Sequence, residues 1–460
     1  MNCDMSKFAT VSTRLVESEV KREAEWMEWS PMDLKWDRFY SSYFFLYKPK
    51  PGGGADEENG PPIDRLIESL GKALVHFYPL AGRLVKQKND ESSRLYCNNA
   101  GAVFTHKRYA GILSEVIDED QFQYNENISG LSDFHPDAPV YDPPLPTLVI
   151  QVIDFQCGTR CLSTSWSHIV ADGGSGVHFL SSWAELCRGE PISLMPVLDR
   201  SLLSPRKSSP VLDGTAPVRF LNNYIKDPPP MKIAAPEGGA SFKTLKLSKR
   251  KMDDLKAEAL SGIHGGFVST ADCVSAHLWK LITQARQHQS HELTRFTTLV
   301  NGRSRLKDFP AGYFGNCLIT TAICMTVREL LSKPLSHAAS LIREAVKAVD
   351  EEVVKGWVDW YSVNKPHPSR LGDEPFMPGD PTFNLHGVSA SWQNQFQFFQ
   401  LDFGSGRPSA ALRNGFRQGN FPMGLFFVLP TSTTSTNGDL AVKLFAENKV
   451  LAKLVGDELY

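Results

Sequence analysis

Between residues 189 and 236 the chain loses every trace of hydrophobic periodicity, and this gap limits the possible folds more than any other feature. Pro191, Pro196, Pro205, Pro210, Pro217 and the run Pro228-Pro229-Pro230 punctuate it. Proline fixes φ and removes a backbone donor, so neither a helix interior nor a central strand tolerates this density. The stretch reads as a long crossover at 189–236 between two parts of similar size, 1–188 and 237–460. A chain of 460 residues has room for two such domains.

Each part mixes strands and helices. In the first, Phe39, Tyr40, Tyr43, Phe44, Phe45 and Tyr47 make segment 30–48 strand-like. Ile63, Leu66, Ile67, Leu70 and Leu74 share one helical face, and Pro79 ends that helix. Residues 148–155 are apolar almost throughout and read as a strand buried on both faces. A second strand, 161–167, runs into His168-Ile169-Val170-Ala171-Asp172-Gly173-Gly174, and a helix is predicted from 176 to 187. In the second part, a strand at 242–247 precedes helices at 249–259 and 270–284. A buried strand at 425–429 and an amphipathic helix from 447 close the chain. The expected class is α/β with mixed sheets.

Composition excludes several functions. A formal net charge of −2 leaves no basic surplus for nucleic acid. No apolar segment is long enough to span a bilayer, and the first residues lack a secretory pattern, so the cytosol is the expected setting. The eight cysteines are scattered without a CxxC pair, so no zinc site or disulfide framework is signalled. They read as buried free thiols in a reducing compartment. Asn127-Ile128-Ser129 matches a glycosylation sequon and reads as chance.

His168 and Asp172 form an HxxxD pattern. The chain holds 12 histidines, so spacing alone carries little weight and fits a satisfied core histidine. Position adds weight: the histidine follows a strand, and loop residues at such junctions are well placed for chemistry. Two residues are too few for a zinc or iron site, and no third ligand stands at recognisable spacing. No GxSxG elbow is present, and the stretch Gly173-Gly174-Ser175-Gly176 lacks the lysine of a phosphate loop. Two further segments stand out: NGRSRL (301–306) with YFGNC (313–317), and DFGSGRP (402–408). Each also reads as a glycine turn between strands, with Asp402 capping its own turn.

Taken in order, these segments resemble the BAHD acyltransferase family of plant specialised metabolism, and its hydroxycinnamoyltransferase-like branch in particular. The resemblance rests on SPMDL (30–34), FYPLAGRL (77–84), SHIVADGGSG (167–176) and STADCVSAHLW (269–279). It extends through NGRSRL, YFGNC, Ser391-Trp392, DFGSGRP and FFVLP (426–430), and so covers nearly the whole chain. It implies two chloramphenicol-acetyltransferase-type domains, each a mixed sheet with flanking helices, and an active-site channel between them. Coenzyme A enters one mouth and a small alcohol or amine the other, with His168 midway as general base. The implied mechanism is direct transfer in a ternary complex. Acyl-CoA is a co-substrate, no further cofactor or metal is implied, and the usual state is a monomer.

The resemblance also assigns supporting roles. Asp172 holds its loop through an arginine, with Arg303 the preferred partner and Arg305 the alternative. Asp402, with Gly404 and Gly406, belongs to a motif that supports the site from a distance. Ser41, Tyr43 and Phe45 match acceptor-side positions, although strand packing explains them equally well. Ser391 and Trp392 match a further substrate-binding pair.

Four departures from the family pattern follow, the first in a loop or channel wall and the other three bearing on the acceptor. Ser405 stands where the family has tryptophan. Ala390 replaces the threonine that precedes Ser391 in the shikimate-using branch. The stretch Phe376-Met377-Pro378-Gly379-Asp380 carries no arginine, and Gln393-Asn394-Gln395 replaces the arginine that usually follows Ser-Trp. A neutral or amine acceptor is therefore expected rather than shikimate or quinate. A lyase or cyclising enzyme, or a non-catalytic binding protein on the same scaffold, are the competing readings.

Overall fold

The computed structural model describes residues 5–37, 40–49, 60–86, 93–118, 123–124, 144–208, 238–263, 266–363, 387–413, 424–431 and 438–454. The sequon at Asn127, the stretch 376–380 and most of the crossover lie outside these residues.

Two six-stranded mixed sheets organise the chain. The first runs in the order Phe8–Val16, Ala102–Tyr109, Leu148–Phe155, Arg160–Ser167, Tyr40–Tyr47, Ala410–Arg413. Its second and third strands pair in parallel. The second sheet runs Ala240–Leu247, Leu440–Glu447, Leu425–Pro430, Gly387–Trp392, Leu293–Asn301, Leu318–Thr326. Gly387–Trp392 pairs in parallel with both of its neighbours.

Strand Tyr40–Tyr47 is buried at every position, because apolar layers cover both faces. Its side chains alternate across the pleat. Phe44 and Leu46 enter one cluster with Tyr109 and Ile153. Tyr43, Phe45 and Tyr47 enter the large core beneath helices Ile63–His76 and Gly173–Arg188. That core also takes Leu425, Phe427 and Leu429 from the second sheet. The opposite face of the same strand, through Phe426 and Val428, packs against helix Thr270–Arg286. The two halves therefore meet sheet face against sheet, and their seam is partly apolar.

The fold departs from the sequence reading in three places. Residues Pro31–Leu34 form a short helix rather than strand. Ser30 Oγ accepts from Met32 N at 3.1 Å, the Asp33 carboxylate accepts from Ser30 N at 3.0 Å, and Pro31 opens the turn. This capping box overrides the β preference of the aromatics that follow. The predicted helix at 176 begins at Gly173, because Asp172 caps it by accepting from Ser175 N at 2.9 Å. Finally, Ala410–Arg413 leaves the second part of the chain and pairs antiparallel with Tyr40–Tyr47.

The start of the crossover is strapped to the second half. Val197 N donates to Gly312 O at 2.8 Å, and Phe314 N donates to Val197 O at 2.9 Å. Seven cysteines are described and unbridged; Cys157 and Cys324 are exposed rather than buried. Among the described residues no helix is long and apolar enough to cross a membrane.

Candidate active site

Strand Arg160–Ser167 ends in a tight turn closed by Val170 N donating to Ser167 O at 3.1 Å, and His168 is the first residue of that turn. Trp166 anchors the turn from below through Nε1 donating to Ala171 O at 3.0 Å. A Cβ at Gly176 would lie 2.0 Å from Trp166 Cζ2, so only glycine lets the helix come this close.

Asp172 is fully buried, and groups from the second half of the chain hold its carboxylate. Arg303 meets it with a two-pronged contact: Nη1 donates to Oδ2 at 2.7 Å and Nη2 to Oδ1 at 3.1 Å. Arg303 Nη2 also donates to Ser175 Oγ at 2.9 Å and to Gly315 O at 2.8 Å. Cys317 N donates to Asp172 Oδ2 at 3.1 Å. Burial pushes the Asp172 carboxyl upward, but Arg303 and the N–H groups of Ser175 and Cys317 outweigh it and hold the group below the usual range. This one carboxylate joins SHIVADGGSG, NGRSRL and YFGNC, and Arg303 rather than Arg305 is its partner.

The imidazole is set by a residue that sequence reasoning did not assign. Asn316 Nδ2 donates to His168 O at 2.8 Å, to Asp33 Oδ1 at 2.9 Å and to Ile169 O at 3.2 Å. Its Oδ1 therefore points at His168 Nδ1, 3.2 Å away. An amide oxygen can only accept, so Nδ1 carries the proton and Nε2 keeps its lone pair. Asp33, fully buried, also accepts from Asn316 N at 3.0 Å and lies 3.5 Å from Arg200 Nε. Arg200 Nη2 in turn donates to Val170 O at 2.7 Å. A Cβ at Gly315 would lie 1.5 Å from Arg200 Nη1, so any other residue there would have to displace this guanidinium. One face of the imidazole is covered by Trp36, stacked at 4.2 Å between ring centroids and 22°. The signals for Asn316 and Asp33 were the motifs YFGNC and SPMDL, but the motifs did not show which atoms would meet; Trp36 lies two residues beyond SPMDL and carried no signal of its own.

Burial lowers the His168 pKa to about 4; the positive charge of Arg413 adds to the fall, while Asp172 and Asn316 oppose it. The neutral imidazole thus prevails over the whole range from weakly acidic to alkaline pH. The acid limb of kcat/KM is expected to titrate near 4 rather than at the ordinary histidine value of about 6.5. A pH–rate profile from pH 4 upward checks this, and an acid limb centred between 6 and 7 would contradict it.

The acceptor-side expectations divide. Tyr43 OH donates to Gln393 Oε1 at 3.1 Å, and Gln393 Nε2 donates to Ser391 Oγ at 3.2 Å. Arg413 Nη1 donates to the Tyr43 hydroxyl. Tyr43, Ser391, Gln393 and Arg413 therefore form one polar chain across the seam. Ser41 lies opposite Trp166 in the sheet, on the same face as Tyr43. Phe45 sits wholly in the core, 5.8 Å from the Phe398 ring. Trp392 faces the opposite layer and donates to Ser275 Oγ at 3.0 Å, so the structure does not bring it to the others.

Asp402 works on its own loop. Its Oδ1 accepts from Gly404 N at 2.7 Å and from Gly406 N at 2.9 Å. Both glycines hold positive φ, +94° and +104°, which favours glycine there. The loop grips the back of the first half: Arg188 donates to Asp402 O, and Tyr47 OH donates to Leu401 O at 2.8 Å. Phe403 meets Trp183 edge-on at 4.8 Å. None of these contacts involves His168. Ser405 Oγ is buried and has no hydrogen-bond partner among the described residues.

The chain as a whole is similar to known proteins. The model of the family described as "Transferase family" matches residues 7–453. Hydroxycinnamoyl-CoA:5-hydroxyanthranilate N-hydroxycinnamoyltransferase of Avena sativa is 30% identical over 457 residues, covering 96% of this chain and 97% of its own. Shikimate O-hydroxycinnamoyltransferase of Nicotiana tabacum is 28% identical, covering 93% and 94%. Among solved structures, vinorine synthase superposes with a TM-score of 0.70 at 20% identity, over 98% of this chain and 97% of its own. F. graminearum TRI101, complexed with coenzyme A and T-2 mycotoxin, reaches 0.74 at 17% identity, over 95% and 98%. With the family model spanning nearly the whole chain and the same two-sheet fold beneath it, the protein belongs to the BAHD family of acyl-CoA-dependent acyltransferases.

Proposed function

We propose that this enzyme moves an aromatic acyl group, hydroxycinnamoyl or benzoyl, from its coenzyme A thioester to the amine or hydroxyl of a small acceptor, with His168 as general base. The observation that carries the reading is the commitment of His168 Nδ1 to Asn316, which leaves Nε2 to accept a proton. Relatives named for hydroxycinnamoyl and benzoyl transfer support the acyl class.

In the step proposed, Nε2 takes the proton of the acceptor O–H or N–H as that atom attacks the thioester carbonyl. The new O–C or N–C bond forms, and the carbonyl electrons move to oxygen as a tetrahedral oxyanion. Collapse breaks the C–S bond, and the imidazolium returns its proton to the leaving thiolate. Both substrates held in one site contribute through effective molarity, and general base catalysis contributes about 10²–10⁴-fold. Asp172 and Arg303 fix the loop that carries the base. Asp402, Gly404 and Gly406 brace strand Tyr40–Tyr47 from behind.

The division into an N-terminal unit 1–188, a crossover 189–236 and a C-terminal unit 237–460 belongs to the same reading, with Ala410–Arg413 exchanged between the units. So does a cytosolic monomer that needs acyl-CoA and no other cofactor.

Mass spectrometry tests the reading directly. Incubation with cinnamoyl-type or benzoyl-CoA and pooled amines and alcohols is expected to yield acceptor plus acyl minus one hydrogen, while the intact protein keeps its mass. A protein that gains the acyl mass before acceptor is added would replace direct transfer by a covalent route.

A further inference from the structure

Asn316 fixes the proton on His168 Nδ1 only while its own amide is fixed. An amide presents an oxygen on one side and an NH2 group on the other. Exchanging the two would turn an N–H toward Nδ1 and leave the ring proton on Nε2. Three oxygens hold Asn316 Nδ2 in place: the carbonyls of His168 and Ile169, at 2.8 and 3.2 Å, and Asp33 Oδ1 at 2.9 Å. The two carbonyls belong to the turn that carries the base and move with it. Asp33 comes from a separate element, the capped turn Pro31–Leu34, and is 283 residues away in sequence. Its Oδ1 also accepts from Asn316 N at 3.0 Å, so one oxygen holds the backbone and side-chain N–H groups of the same residue. That double grip fixes the Asn316 rotamer.

Asp33 is in turn held as an acceptor. It is fully buried, its Oδ2 accepts from Ser30 N at 3.0 Å, and Arg200 Nε lies 3.5 Å from the same oxygen. Each of these neighbours offers an N–H, which suits a carboxylate. Burial pushes the Asp33 carboxyl above its ordinary value, while Arg200 and the N–H groups of Asn316 and Ser30 oppose that rise. Arg200 also donates to Val170 O and to Phe314 O, on the two loops that carry His168 and Asn316.

Resting on the general-base reading of His168, we propose that Asp33 is a positioning residue: its carboxylate locks the Asn316 amide, and so keeps the ring proton on His168 Nδ1 and the lone pair on Nε2. It acts through Asn316, and Arg200 balances its buried charge.

The test is two-bond proton–nitrogen NMR of the full chain carrying isotope-labelled histidine, recorded near neutral pH, where burial keeps the imidazole uncharged. The spectrum reports which ring nitrogen bears the proton, and the signals lost in His168→Ala assign the residue. Wild type is expected to show a protonated Nδ1 and a bare Nε2. Asp33→Ala is expected to show the Nε2–H form beside it, and to lose kcat by about 10–100-fold with KM kept within about threefold, a smaller loss than removal of the base itself. Asp33→Asn keeps an oxygen facing Asn316 but leaves the Arg200 charge as uncompensated as Asp33→Ala does. It is expected to lose comparable stability, yet to hold the Nδ1–H form and most of the turnover. A purely structural role would make the two variants fall together. The proposal is overturned by an Asp33→Ala variant with wild-type tautomer and turnover, or by an Asp33→Asn variant that loses both as far as Asp33→Ala does. Should Asp33→Ala fail to fold, Asp33→Ala combined with Arg200→Met takes its place, since that pair removes both buried charges. Absence of acceptor-dependent thiol release by wild type would remove the general-base reading, while the NMR spectrum still decides the lock. Normal release by wild type with an unmoved tautomer in Asp33→Ala removes this inference alone.

Discussion

Replacing His168 by alanine is expected to lower kcat by about 10²–10⁴-fold, the usual contribution of a positioned general base, while affinity for coenzyme A is kept. The reasoning is geometric. His168 bears on the fold through Asn316 and through the Trp36 stack. Asn316 keeps its bonds to the backbone carbonyls of residues 168 and 169 and to Asp33 when the imidazole is removed. The site therefore loses its proton acceptor and little else. Steady-state turnover beside coenzyme A titration separates the two quantities. A variant within a few-fold of wild type would show that another group, or water, takes the proton.

Asp172→Ala is expected to act on stability first. The carboxylate is fully buried and holds Arg303, itself largely buried, in a two-pronged contact. Removing it leaves an uncompensated charge inside the protein, a loss of about 3–5 kcal/mol. The N–H groups of Ser175 and Cys317 lose their acceptor as well. A fall in melting temperature of about 3–5 °C follows from that energy for a chain of 460 residues unfolding as one unit. Removing Arg303 in the same chain is expected to recover part of the loss, because the pair is coupled. An unchanged melting temperature with lost turnover would instead place Asp172 among the groups that act on the substrate.

The strands that flank the base were legible because burial on both faces leaves an apolar run, as in Leu148–Phe155. The helix after the base was legible in its extent, but its start was not. Glycines at 173 and 174 weaken a helical reading, and the Asp172 cap that outweighs them is visible only as geometry. Segment 30–34 misled for the opposite reason: strong β formers downstream hid a four-residue capping box. The contacts of Asn316, Trp36 and Arg413 could not be found from pattern, although the motif YFGNC held Asn316 itself. Asn316 meets His168 across 148 residues and Arg413 meets Tyr43 across 370. Hydrophobic periodicity reports which face of an element is buried and says nothing about which distant element covers it. The strand that carries Arg413 has four residues, too few to show a period. Motif order located the loops that build the site, and side-chain hydrogen bonds then decided which atoms do the work.

The most direct measurement is release of free coenzyme A thiol from hydroxycinnamoyl- and benzoyl-CoA, with and without acceptor, by wild type and by His168→Ala in parallel. The account predicts release by wild type that requires an acceptor and falls by the same factor as kcat in the variant. Equal release by both proteins, or release by wild type that ignores the acceptor, would contradict a base that activates the attacking atom.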